Sequence, residues 1–263
     1  MNPLTDPPRS QGHLTRAPLD RVICQVKFPP LFSLASPEFI GPFQERIRSR
    51  YSRPVQNQMI RFQFNIPGNE LPAMGQNAMA NFLFEDEDQH WRVTLGQDSL
   101  SLDTGAYTDR AEFLARLGEL VSALEACVHP SHRTRIGVRY VNRIKGEDRL
   151  SLVPTVFRPE ILGILSSSDV SSHVGQVLTE SIMNAAEGRL LARWGLLPAN
   201  TTYEPLMVPP IGERSWMLDL DAFCEERKPF NSVEIMADAT ALTERNCAFF
   251  QWATTEAFVT HFR

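Results

Sequence analysis

One segment restricts the fold of this chain more than any other: residues 135–144, Arg-Ile-Gly-Val-Arg-Tyr-Val-Asn-Arg-Ile. Its apolar side chains alternate with polar or small ones, the pattern of a β-strand whose successive side chains point to opposite faces. One face then carries three guanidinium groups, those of Arg135, Arg139 and Arg143. The other face is apolar apart from Tyr140 and Asn142, which we predict to lie in a buried hydrogen-bond network because a buried amide must be satisfied.

The arginine row, defined as Arg135, Arg139 and Arg143, is the strongest candidate for a binding surface in the sequence. Guanidinium groups present paired donors that suit phosphate and carboxylate groups, and the small side chains between them leave space for a ligand. The row would then bind a polyanion, a nucleotide or the acidic surface of a partner. The alternative is that carboxylates on neighbouring strands neutralise the row, and the candidates are Asp103, Asp219 and Asp221.

The composition argues against several classes of partner. The chain has 263 residues with 26 basic and 31 acidic side chains, a net charge of −5, whereas nucleic-acid-binding domains are usually strongly basic. No apolar run reaches the roughly 18 residues that a membrane span needs. The four cysteines lie far apart without a Cys-x-x-Cys pair, which predicts reduced thiols and a cytoplasmic protein.

The pattern of apolar residues predicts an α+β fold in which antiparallel sheets are covered by two long helices, at about 109–127 and 232–252. Shorter helices are predicted at 36–51, 154–165 and 255–262. Alternating patterns predict the strands, which lie at residues 19–28, 59–66, 81–85, 90–95, 99–104, 135–144, 174–183, 189–196 and 215–223. A proline-rich connection separates the last two strands and is long enough to carry function.

We predict a flexible N-terminal tail at residues 1–17 and a single unit at residues 18–263. The unit divides into two halves, 18–150 and 151–263, which we predict to be an internal duplication. In each half a strand meander precedes a long helix. The phrase Trp91-Arg-Val-Thr-Leu in the first half corresponds to Trp216-Met-Leu-Asp-Leu in the second.

From Pro18 onward the chain resembles a sporadically distributed family of uncharacterised bacterial proteins of similar length. Four segments carry the resemblance: Pro18-Leu-Asp-Arg-Val-Ile-Cys-Gln-Val-Lys-Phe-Pro-Pro30, Trp91-Arg-Val-Thr-Leu95, residues 135–144 and Leu218-Asp-Leu-Asp221. The resemblance implies one integral unit, and it implies no activity, catalytic residue, cofactor or substrate. The patchy distribution of the family implies a link to mobile elements or defence systems, and so a role in binding a partner.

The sequence contains no motif typical of catalysis or of cofactor binding, and we predict neither. It has no Gly-x-Ser-x-Gly elbow, no Gly-x-Gly-x-x-Gly turn and no Walker loop. Asp219 and Asp221 share one face of a predicted strand and are weak candidates for a metal site, with a salt-bridged pair as the alternative. The aromatic residues at 249–262 are predicted to pack in the core, with an exposed patch for dimerisation or partner binding as the alternative.

These features favour a non-enzymatic binding or regulatory module that recognises a protein partner or forms a homo-oligomer. The contact candidates are the arginine row with Tyr140 and Asn142, together with the C-terminal aromatic residues. The alternative is an enzyme or sensor that binds a nucleotide or another phosphorylated small molecule through the same arginines. A third hypothesis, nucleic-acid binding, conflicts with the acidic net charge.

Overall fold

Most of the predicted elements form in the computed structural model, which describes residues 2–10, 14–55 and 81–263. The strands are β1 Leu19–Lys27, β2 Arg53–Val55, β3 Asn81–Glu85, β4 Trp91–Gly96, β5 Ser99–Thr104, β6 His132–Arg133, β7 Arg135–Lys145, β8 Val177–Ala185, β9 Gly188–Leu197, β10 Ser215–Cys224 and β11 Lys228–Pro229. The helices are α1 Pro37–Ile47, α2 Arg110–Val128, α3 Glu147–Leu150, α4 Val153–Val156, α5 Pro159–Leu162, α6 Ser232–Ala253 and α7 Glu256–Phe262. The strand predicted at residues 59–66 lies outside the described residues.

The fold is α+β, as predicted, and its main element is one antiparallel sheet of nine strands. Their hydrogen-bonded order is β2-β3-β4-β5-β1-β7-β10-β9-β8, and β6 and β11 form a separate pair. A single large sheet therefore stands where the sequence predicted several. Among the described residues, no helix is both long enough and apolar enough to cross a membrane.

The chain divides into two compact units, each built from discontinuous segments. Unit 1 comprises Met1–Val22, Arg139–Phe223 and Ala241–Arg263, and unit 2 comprises Ile23–Val138 and Cys224–Thr240. These boundaries differ from the predicted halves at 18–150 and 151–263, because segments distant in sequence pack within the same unit.

Unit 2 contains the meander β3-β4-β5 and the helix α2 that follows it. The Oδ1 atom of Asp109 accepts a hydrogen bond of 2.9 Å from the backbone N–H of Glu112, so this carboxylate caps the first turn of α2. The helix packs on the meander, where the rings of Trp91 and Phe113 lie 6.1 Å apart. The Arg116 guanidinium lies 4.2 Å from the centre of the Trp91 ring.

Unit 1 contains a second meander, β8-β9-β10, and an aromatic cluster centred on Phe157. The Phe157 ring lies 5.4 Å from Trp216 and 5.8 Å from Phe258. Phe258 and Phe262 are buried, as expected if the C-terminal aromatic residues pack in the core. Of the long helix α6, which follows this meander in sequence, only residues 241–253 belong to unit 1, and the internal duplication stays a prediction.

Residues 2–10, part of the predicted tail, are hydrogen-bonded to the rest of unit 1. The Nη1 atom of Arg245 donates to the carbonyl oxygens of Pro3 at 2.7 Å and Asp6 at 3.1 Å. Glu187 accepts two hydrogen bonds of 2.9 Å from the same guanidinium and so fixes its orientation. Arg245 is therefore one anchor of the N-terminal segment, and Gln251 is another, because its side chain bonds both backbone polar groups of Arg9.

Acid should release this segment. The hydrogen bond from Arg245 lowers the pKa of Glu187 below its ordinary value, so the stabilisation is present above that ordinary pKa and is lost as pH falls through the lowered one. Protection is measured against the intrinsic exchange rate of an unprotected amide at the same pH. On that scale we expect the amide of Ala186, which donates to the carbonyl of Leu4 at 3.1 Å, to lose protection as the pH falls. Glu187→Gln should show the lower protection already at neutral pH. Equal protection of Ala186 in both proteins would contradict this anchor.

Candidate functional site

A row of alternating charges crosses four neighbouring strands of unit 1, and we call it the ionic row. Its members are Arg139 on β7, Asp219 on β10, Arg193 on β9 and Glu180 on β8. Arg139 binds Asp219 through two hydrogen bonds, from Nε at 2.8 Å and from Nη2 at 2.7 Å. Arg193 lies opposite Asp219 in the β9–β10 register and donates to Glu180. Each charge in the row therefore has an opposite charge on the next strand.

The connection at residues 198–214 contacts the ionic row through two of its side chains, Tyr203 and Glu204. Glu204 accepts hydrogen bonds from both terminal nitrogens of Arg139, at 3.1 and 2.7 Å, and lies 3.5 Å from Nη1 of Arg193. The Tyr203 hydroxyl donates to Oδ2 of Asp219 at 2.7 Å. The proline-rich connection is therefore attached to the charged face of the sheet by two consecutive side chains.

Burial and charge act in opposite directions on these groups. Burial alone would lower the pKa of Arg139, but Asp219 and Glu204 outweigh it and raise that pKa well above the ordinary value. Burial, with the negative charge of Asp219, raises the pKa of Tyr203. Arg139 is therefore permanently charged and Tyr203 permanently neutral, which is typical of a structural clamp rather than of proton transfer.

The three members of the arginine row do not form an exposed surface. Arg135, Arg139 and Arg143 are only 6%, 1% and 3% exposed. Arg139 is neutralised by Asp219, the carboxylate named in the alternative hypothesis, and each of its three guanidinium nitrogens is hydrogen-bonded to a carboxylate of the protein. The sequence showed the shared face of the strand but not the connection that lies over Arg139.

The small residue Gly137 has a different role from the one predicted. Within unit 2, the Arg135 guanidinium folds over it, and a Cβ atom at Gly137 would lie 2.6 Å from Nη1 of Arg135. The space that the sequence assigned to a ligand is therefore filled by the protein's own arginine.

Arg143 differs from Arg139 because only neutral groups bind it. Its Nε donates to the Ser215 hydroxyl at 3.0 Å and its Nη1 donates to the Pro209 carbonyl at 2.6 Å. Its Nη2 is buried without a hydrogen-bond partner. Burial lowers the pKa of Arg143, and more distant acidic groups only partly oppose this.

The other predicted site residues of β7 face different surroundings. Asn142 is buried and its Nδ2 donates to the Leu218 carbonyl at 3.2 Å, which satisfies the amide as expected. Tyr140 is half-buried.

The two aspartates that were weak metal candidates are both buried on β10. Asp219 is used by Arg139 and Tyr203. Across residues 2–10, 14–55 and 81–263, no group of three or more His, Cys, Asp or Glu side chains is placed to hold a metal ion. The salt-bridged alternative therefore describes Asp219.

A second feature of unit 1 is the strand β8. It ends the hydrogen-bonded order of the sheet, and each of its nine residues pairs with β9 alone in the part of the chain that the structure describes. Leu178 and Ile182, on one face, are each 38% exposed. Glu180 lies between them and is the only charged residue in the strand.

Four residues of the ionic row and its cover were missed at the sequence level: Glu180, Arg193, Tyr203 and Glu204. A signal was present for two of them, because Glu180 is the one charged residue of β8 and Arg193 lies in the middle of an apolar stretch of β9. Tyr203 and Glu204 lie in an irregular connection, where no periodicity indicates which side chains face the sheet.

No family model matches this chain, and no curated protein matches it. The resemblance to the family of uncharacterised bacterial proteins therefore stays a prediction.

Proposed function

We propose that this chain is a non-enzymatic binding module that recognises a protein partner by adding a partner strand to β8. One observation carries the proposal: among the strands that the structure describes, the nine-residue β8 lies at an edge and has two exposed apolar side chains, Leu178 and Ile182. An edge strand presents a row of backbone N–H and C=O groups that another extended chain can pair with.

The sequence of β8 has few of the features that usually prevent such pairing. Natural edge strands are protected by proline, charged side chains (lysine above all), bulges or short length, and the one charged side chain of β8, Glu180, is paired with Arg193. β8 is Val-Leu-Thr-Glu-Ser-Ile-Met-Asn-Ala, with no proline or basic residue. By contrast β2, the strand at the other end of the order, has three residues and contains both Arg53 and Pro54. The difference supports a role for β8 in docking.

The chemistry of β8 favours an extended segment with apolar side chains at alternate positions. Backbone pairing would supply affinity for any strand, whereas contacts with Leu178 and Ile182 would select among partners. The ionic row holds Glu180 through Arg193, so a charged side-chain contact adds to the backbone pairing of β8 with β9. The docking strand is therefore positioned in advance.

Charge on the exposed face of β8 should abolish partner binding. We expect Leu178→Lys and Ile182→Lys to lose a partner that tagged wild-type chain captures from the native host, because lysine on an edge opposes strand addition. The matched control is Val233→Lys on α6, where the original valine is 76% exposed. All three variants should melt within a few degrees of wild type.

Two outcomes would contradict the proposal. One is a captured partner that Ile182→Lys retains as well as Val233→Lys does. The other is a stable dimer in light scattering that Ile182→Lys dissolves, because the edge would then bind a second copy of this chain.

A further inference from the structure

Arg143 has an unusual charge environment for a buried arginine in this protein. Besides Arg135, four other arginines are at most 8% exposed. Each of these four pairs with a carboxylate, and the pairs are Arg133–Asp238, Arg139–Asp219, Arg193–Glu180 and Arg245–Glu187. Arg143 is 3% exposed, and the only hydrogen-bond acceptors of its guanidinium among the described residues are the Ser215 hydroxyl and the Pro209 carbonyl. A buried cation without a counter-charge is destabilising.

A cavity of about 130 Å³ lies beside Arg143 in unit 1. Its lining residues are Asp20, Arg21, Val141, Arg143, Met207, Val208 and Pro209. Arg21 is thus a second guanidinium at the same cavity, and its Nη1 donates to the backbone carbonyl of Leu206. The acidic lining residue, Asp20, lies 2.7 Å from Nζ of Lys145, which neutralises it. The three cations Arg143, Arg21 and Lys145 outnumber the one carboxylate, so the net charge of these four side chains is positive.

We propose that this cavity binds a single phosphate-sized oxyanion, for which Arg143 and Arg21 supply the positive charge. The proposal is independent of the docking role of β8. Guanidinium groups bind oxyanions through charge-assisted hydrogen bonds, and Arg143 retains an unused donor at Nη2.

The size of the cavity limits the ligand. A volume of about 130 Å³ has room for several water molecules. It is therefore large enough for one phosphate group. The group is therefore either free inorganic phosphate or the phosphoryl end of a molecule that extends outside the cavity.

Titration with inorganic phosphate tests the site. At matched ionic strength, phosphate should raise the melting temperature of the full chain relative to chloride, because a ligand that binds only the native state stabilises it. Arg143→Gln should abolish the rise. Arg21→Gln should weaken phosphate binding about tenfold, measured by calorimetry, as expected for one lost hydrogen bond between charged groups.

A matched control is Arg214→Gln, which removes a half-exposed arginine that does not line the cavity. It should leave phosphate binding unchanged.

A parallel titration with glycerol phosphate separates the two sources, since tighter binding of the ester assigns the site to the end of a larger molecule. If Arg143→Gln does not fold, the titrations of wild type and of Arg21→Gln test the proposal without it. No response of wild type to either ligand, or equal losses in Arg21→Gln and Arg214→Gln, would overturn the proposal.

Discussion

Replacing Arg139 with methionine should lower the free energy of unfolding by about 3 kcal/mol or more, because it leaves buried carboxylates without their cation. Asp219 would lose two hydrogen bonds of 2.8 and 2.7 Å, and Glu204 would lose two more. Tyr203 and Arg193 retain their contacts and compensate only in part. Equilibrium unfolding in urea measures the change.

Two further variants separate this mechanism from a general sensitivity to arginine loss. Arg48→Met removes an exposed pair with Glu45, whose side chains are 67% and 66% exposed, and should change stability by less than about 1 kcal/mol. Adding Asp219→Asn and Glu204→Gln to Arg139→Met should recover part of the lost stability, since the isolated charges are then removed. A loss below about 1 kcal/mol for Arg139→Met alone would mean that the ionic row does not hold the connection.

Gly195→Ala should detach β8 from β9. A Cβ atom at Gly195 would lie 2.0 Å from the carbonyl oxygen of Val177 and 2.8 Å from its carbonyl carbon, both in the backbone of β8. Its φ of +151° also lies in a region that side chains disfavour. Because backbone cannot move aside as a flexible side chain can, we expect a loss of about 2–3 kcal/mol.

The control for this variant is Gly212→Ala, where an added Cβ meets no atom within 4 Å. We expect it to change stability by less than about 0.5 kcal/mol. Limited proteolysis should cut Gly195→Ala within β8 and spare Gly212→Ala. Partner capture should fall with the loss of β8, so an intact complex with proteolysed β8 would contradict the docking role.

Many of the strands and helices could be predicted because their apolar residues recur with the period of a strand or of a helix. The helix predicted at 109–127 forms as Arg110–Val128 with Asp109 as its cap, and the last strand forms as Ser215–Cys224. The two strands β6 and β11 were missed, because two residues are too few to show a period of two.

The chemistry of the site was harder to predict because it depends on what covers one face of the sheet. Alternation placed Arg139 and Arg143 on the same face, but it did not show that Glu204 would reach Arg139 and that Pro209 would reach Arg143 only through its carbonyl. Both contacts come from the irregular connection at residues 198–214, where no periodicity indicates which groups face the sheet. One arginine is therefore neutralised and the other is not, although their sequence positions looked equivalent.

Amide hydrogen exchange of the partner complex tests strand addition to β8 most directly. If a partner strand pairs with β8, the amides of Val177–Ala185 that do not bond to β9 become protected from exchange in the complex. The exchange rates of amides at the exposed start of α6, around Val233, do not change. Unchanged exchange of β8 on partner binding, with new protection elsewhere in the chain, would contradict it.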